Sequence, residues 1–176
     1  AGIQGRSGRN EADFLCGYGK TGCGHKHGAS RRLFQKLCKT EVDIKELTEK
    51  LLEKYRMALN ERNIELKTEL CSKVRADEDL LVSIIENLIS NAVKYTCDDG
   101  CITITADKKR LSIVNDVSEN VNTKDLLMPF VKGDKARSDK RSHGLGLAIA
   151  SSAAARSGFG LNISCKGKKF TAVLKF

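Results

Sequence analysis

Proline is almost missing from this sequence, with Pro129 the only one in 176 residues. Long apolar runs are missing too. None approaches the roughly 18 residues of a membrane span, and no apolar signal-peptide core opens the chain. These absences exclude a membrane-spanning reading and leave a chain with no membrane contact, expected in the cytoplasm. The seven cysteines include no Cys-x-x-Cys pair and are odd in number, which points to reduced thiols rather than a disulfide framework. No internal repeat is found. Acid is short only at one end: the first forty residues hold eight bases against two acids, or +6 of the net +9. Basicity therefore belongs mainly to a tail and not to a folded face, which argues against nucleic acid as a partner.

What is present is enough for one globular domain. Hydrophobic residues make up 40% and charged residues 30% of a chain long enough to bury a core. Residues 1–30 carry eight glycines and no apolar periodicity, so they are expected to be a disordered leader or appended tail. Within them "GYGKTG" falls short of a phosphate loop, because Phe14 stands where its first glycine belongs. Cys16, Cys23, His25 and His27 lie close together, but their spacing matches no common zinc site.

From Arg31 the chain becomes regular. "RRLFQKLCKT" resembles the end of a helix. "DIKELTEKLLEKYRMALNERN" predicts one helix, capped by Asp43 with Glu46, seamed by Ile44, Leu47, Leu51, Tyr55 and Leu59, and closed by Asn63. "IELKTEL" and "KVRAD" predict strands. "CITITADKKRLSIVN" predicts a hairpin about Asp107–Arg110, and "GLNISCKGKKFTAVLKF" another about Gly167. "LGLAIASSAAARSG" predicts a helix ended by Gly158. Between these, residues 116–142 are polar, irregular, basic and unusually long for a connection, which suggests a functional and mobile segment.

The informative helix runs from Asp77 to Tyr95. Its apolar side is Leu81, Ile84, Ile85, Leu88, Ile89, Ala92 and Val93. With Asn87 at zero on a helical wheel, Asn91 lies at about 40°, with Lys94, Ser83 and Ser90 within about 60° on the other side. Asparagine is a poor helix former, and an ordinary wet face would be rich in Glu and Lys. Two amides one turn apart suggest a ligand face, whose oxygens suit a hard cation. Further on, "HGLGLAIA" sets Gly144 and Gly146 at a helix start, where free N–H groups and the dipole favour an anion.

"ENLISNAVKYT", "PFVKGDKARS" and "HGLGLAIA" together resemble the N, F and G2 boxes of bacterial sensor histidine kinases, within the ATPase superfamily of gyrase, heat-shock chaperone, histidine kinase and mismatch-repair protein. The resemblance covers residues 36–176. It implies an α/β two-layer sandwich, with a mixed, mostly antiparallel sheet of about five strands on three helices and a mobile ATP lid. It also implies a division into a leader or appended tail (1–30), the end of a dimerisation-hairpin helix or linker (31–42) and an ATP-binding catalytic domain (43–176). By resemblance, Asn91 and Asn87 hold Mg²⁺, and Asn87, Asn91 and Lys94 form the catalytic set. ATP would meet these residues together with Tyr95, Asn115, Asp116, Lys132, Arg137, Gly144, Leu145, Gly146 and Leu147.

Two departures stand out. The adenine-contacting loop of the family is Asp-x-Gly-x-Gly, whereas "SIVNDVSEN" has neither glycine. Either Asp116 or Asn115 takes the place of the aspartate, and strand alternation with Ile113 favours Asn115. The second departure is that none of His25, His27 and His143 stands in the context of a phosphoacceptor. The resemblance then implies a monomeric catalytic piece that phosphorylates a histidine on a separate dimerisation segment, with a response regulator downstream. A degenerate nucleotide-sensing module and an anti-sigma-type serine kinase are the alternatives.

Overall fold

The computed structural model describes residues 37–124, 126–128 and 145–176. The leader, its Cys/His group, and Lys132, Arg137, His143 and Gly144 lie outside the described residues.

The first element corrects an expectation. Strand β1 (Lys39–Asp43) occupies the stretch where the end of a helix was expected, and pairs antiparallel with β3 (Lys73–Asp77) in a two-stranded ribbon. Thr40 and Val42 are β-branched and suit a pleated surface. Pairing Val42 with Val74 turns both toward the body of the domain. The ribbon is tied at one end by the Cys38 N–H, which donates to the Asp77 carboxylate at 3.0 Å.

Asp43 caps α1 (Ile44–Leu52), accepting from the N–H groups of Lys45 and Glu46 at 2.9 and 3.2 Å. The single helix predicted there is divided. A tighter 3₁₀ turn at Glu53–Tyr55 buries none of its residues, and α2 (Arg56–Glu61) then resumes the apolar seam at Leu59. Asn63 closes it at φ 49°.

The main sheet has the order β2-β4-β5-β7-β6, from β2 (Glu65–Leu70), β4 (Cys101–Ala106), β5 (Arg110–Asp116), β6 (Gly160–Lys166) and β7 (Lys169–Lys175). Only β2 and β4 are parallel, so the sheet is mixed and mostly antiparallel as expected. Strand alternation fills one face with Ile102, Ile104, Leu111, Ile113, Phe170, Ala172 and Leu174, all buried against the helix layer. The hairpin between β6 and β7 turns through Gly167 and Lys168, both at positive φ, as a two-residue turn of this hand demands.

Helix α3 (Glu78–Tyr95) starts at Asp77, whose carboxylate also accepts from the Leu80 N–H. Its seven buried residues are the seven apolar positions named from the sequence. Helix α4 (Gly146–Ser157) buries Ala148, Ala150, Ala153 and Ala154, and these small side chains let it lie close along α3. It ends at Gly158, φ 79°. Among the described residues no helix is long and apolar enough to cross a membrane.

The segment expected to be a mobile lid is apolar at its start. Val117 and Leu126 are buried in the core, and Val121 and Leu127 pack against it. Residues 125 and 129–144 lie outside the described residues.

Candidate functional site

The site grows from the polar stripe of α3. Asn87 is half-buried, and its Nδ2 donates to the Ser83 carbonyl one turn back at 2.7 Å. That bond fixes the carboxamide and leaves Oδ1 as the outward atom. Oδ1 faces the first turn of α4: a Cβ built on Gly146 would stand 3.2 Å from it, tighter than ordinary contact. A side chain here would press on the Asn87 carboxamide, and glycine gives the closest approach. Asn91 lies one turn further along, also half-buried. Lys94 and Tyr95 follow at the exposed end, with the ammonium 5.4 Å from the ring centroid.

Helix α4 enters through Leu145, which has no side-chain acceptor for the first-turn N–H groups. The start of α4 thus presents N–H donors and the positive dipole end beside Asn87. The side chain of Leu147 belongs to the core, so only its backbone is placed for a ligand.

The two residues left open at the end of β5 face opposite ways. Asn115 is 2% exposed and lies on the helix-facing side, in register between Ile102 and Phe170. Asp116 points to the other face. There its carboxylate accepts from Lys169 Nζ at 2.6 Å and from the Cys101 N–H at 3.0 Å. The Lys169 hydrogen bond, with smaller help from the Cys101 N–H, holds its carboxyl below the usual range against the opposing effect of burial. Asp116 is therefore committed to the sheet's outer face, away from Asn87 and Gly146.

In this register Val117 and Glu119 stand where the Asp-x-Gly-x-Gly pattern has glycines. Val117 donates its N–H to the Lys168 carbonyl at 2.8 Å. Asn120 accepts from the Lys168 N–H at 2.9 Å, and the Val121 N–H reaches Cys165 Sγ at 3.3 Å. The segment runs along the last hairpin with none of residues 117–121 at positive φ, so its backbone has no need of glycine.

Sequence reasoning missed Arg62. Its guanidinium donates to the Val93 carbonyl at 2.7 Å, to the Thr96 carbonyl, and to the Asp98 carboxylate at 2.7 Å. It thereby caps the end of α3 that carries Lys94 and Tyr95. No local signal announces a contact over more than thirty residues.

Residues 76–176 match the family of histidine kinase-, DNA gyrase B- and HSP90-like ATPases. The chain belongs to that family. It is 30% identical over 147 residues to the sensor-like histidine kinase SenX3 of Mycobacterium bovis, covering 77% of this chain and 36% of SenX3. It is 29% identical over 119 residues to the adaptive-response sensory kinase SasA of Crocosphaera subtropica, covering 63% and 31% of the two chains. The chain thus spans about a third of the length of these curated relatives. Its fold is that of the catalytic domain of histidine kinase ThkA, with TM-score 0.67 and 21% identity over 78% of this chain and 94% of the other. Full-length ShkA in complex with AMPPNP aligns with TM-score 0.67 and 25% identity over 80% of this chain and 31% of ShkA.

Proposed function

We propose that this chain is the ATP-binding catalytic part of a sensor histidine kinase, which passes the γ-phosphoryl group of Mg-ATP to a histidine on a separate dimerisation segment. The observation that carries the reading is the meeting of Asn87 Oδ1 with the glycine start of α4, beside first-turn N–H groups that Leu145 has no side chain to cap. A triphosphate fits there, with its anionic oxygens at the helix start and the base toward buried Asn115.

The residues also fit Mg²⁺. Asn87 is turned so that oxygen, not nitrogen, faces outward, and Asn91 adds a second carboxamide on the same stripe. Neutral oxygen donors beside a triphosphate suit a hard cation that keeps part of its water shell. When bound, Mg²⁺ would offset charge on the β- and γ-phosphates. Asn87 then does something by default. A carboxamide is no general base, so it does not activate water, and ATP is held intact until an acceptor arrives. Asn115 accepts from the 6-amino group of adenine in place of the family's aspartate, and its position in the core favours it over Asp116. Lys94 and Tyr95 flank the phosphates. Lys132, Arg137 and Gly144 keep their proposed roles as phosphate contacts. The phosphohistidine would pass its group to an aspartate of a response regulator. The chain would act as a monomer on the cytosolic side of its receptor.

The test compares Asn91→Ala with Ser83→Ala by calorimetric titration of AMPPNP, with and without Mg²⁺. Asn91→Ala should weaken Mg²⁺-dependent binding much more, and equal affinities would sink the site. Incubated with radiolabelled ATP and its cognate His-bearing segment, the chain should produce acid-labile, base-stable phosphohistidine on that segment. A second reading, a nucleotide-sensing module without transfer, draws on Val117 and Glu119 in the glycine positions. Binding without label on any cognate segment would favour it, and stable phosphoserine on a partner would favour the anti-sigma-type kinase.

A further inference from the structure

Two carboxamides in the proposed pocket are held very differently. Asn87 is locked, because its Nδ2 donates to the Ser83 carbonyl at 2.7 Å. Asn115 is buried, yet its neighbours in register, Ile102 and Phe170, have no polar side-chain atoms. Among the described residues its Nδ2 reaches only the Asp116 carbonyl, at 3.5 Å, the outer limit of a hydrogen bond. No strong partner among the described residues selects which end of the Asn115 amide points into the pocket. Nor can the adjacent carboxylate take over, since Asp116 is held on the outer face by Lys169 and the Cys101 N–H.

We infer that the pocket takes 6-oxopurine nucleoside triphosphates alongside 6-aminopurine ones, because Asn115 can meet either base edge by a half-turn of its amide. This rests on the nucleotide reading above and concerns which base the pocket admits. A 6-amino group donates and needs an acceptor, while a 6-oxo group accepts and needs a donor. A carboxylate is acceptor-only when ionised. Opposite a 6-oxo group it would set a buried charge against a carbonyl oxygen, and it could pair only if the base shifted to bring its N1–H across, so it disfavours that base in the pose that suits adenine. The carboxamide offers oxygen to one base and N–H to the other. Its terminal torsion is broad and two-fold, so the exchange costs little. The structure thus places a permissive reader where an aspartate would be a strict one.

The test uses the full chain with Mg²⁺ and displaces a fluorescent ATP analogue by three competitors. These are ATP, inosine triphosphate (6-oxo, without the 2-amino group of guanine) and purine riboside triphosphate (no 6-substituent). ATP and inosine triphosphate should bind within about tenfold of each other, as one neutral hydrogen bond replaces another. Purine riboside triphosphate should bind more weakly than both. Asn115→Asp, checked for folding by circular dichroism, should widen the ATP preference to about a hundredfold or more, as expected for a charge left unpaired. If that variant does not fold, the three competitors on the unmodified chain decide alone. A wild-type preference for ATP beyond about tenfold overturns the inference. So does an unchanged ratio in Asn115→Asp, or purine riboside triphosphate binding as well as ATP. If no triphosphate binds at all, the nucleotide reading itself falls with it.

Discussion

Arg62→Ala should loosen the far end of the Asn-bearing helix. The side chain of Arg62 is 32% exposed and spends all three guanidinium nitrogens on its neighbours. Two of them satisfy the carbonyls of Val93 and Thr96 at the end of α3, where intrahelical donors run out. Hydrogen bonds from a charged donor are worth about 1.5–3 kcal/mol each, but water can reach carbonyls at this partly open site, so about 1 kcal/mol each is the better figure. The Asp98 carboxylate is 72% exposed, and that ion pair adds at most about 0.5 kcal/mol. Arg62→Ala should therefore cost about 2–3 kcal/mol. Arg62→Lys keeps a cation near the helix end but cannot reach three acceptors at once, and should cost about 1–2 kcal/mol. Asp98→Asn should cost no more than about 0.5 kcal/mol. Urea unfolding followed by circular dichroism gives all three values, and amide exchange of Val93 to Thr96 localises the loss. Arg62→Ala within about 0.5 kcal/mol of wild type, or no worse than Asp98→Asn, would refute the argument that this fork caps α3.

Two further substitutions separate site from scaffold. Gly146→Ala adds a methyl 3.2 Å from Asn87 Oδ1, at a first-turn position whose backbone alanine also adopts. The thermal midpoint should stay close to wild type while AMPPNP affinity falls about tenfold or more, and unchanged affinity would show that the close approach does not matter. Asp116→Asn should lower stability at neutral pH and less so in acid. The Asp116 carboxyl sits below its ordinary value of 3.8, chiefly through Lys169, so its contribution is present above that value and is lost as pH falls through the lower folded value. Urea midpoints at about pH 7 and about pH 2.5 should show a wild-type advantage that is smaller at the second, and an equal gap at both would rule out the ion pair as its source.

What the sequence determined by itself was the local structure. Asp77 before the run Glu78–Tyr95, with apolar residues at helical spacing, was enough for α3, because a cap and a 3.6-residue period act within a few turns. The two hairpins followed from two-residue alternation around polar or glycine turns. Alternation along β5 also leaned toward Asn115, since one strand's register with its own core face is a local matter. What had to wait for the tertiary structure was every choice of distant partner. Lys39–Asp43 became a strand because β3 offered an edge, which no window around Thr40 reveals. The start of the expected lid proved apolar enough to pack, but only beside a hairpin some forty-five residues away in sequence. Gly146 came against Asn87 because the alanines of α4 let two helices approach closely. Arg62 reached the end of α3 because closing a chain of thirty residues costs little more entropy than closing a short one, and so leaves no trace in local pattern.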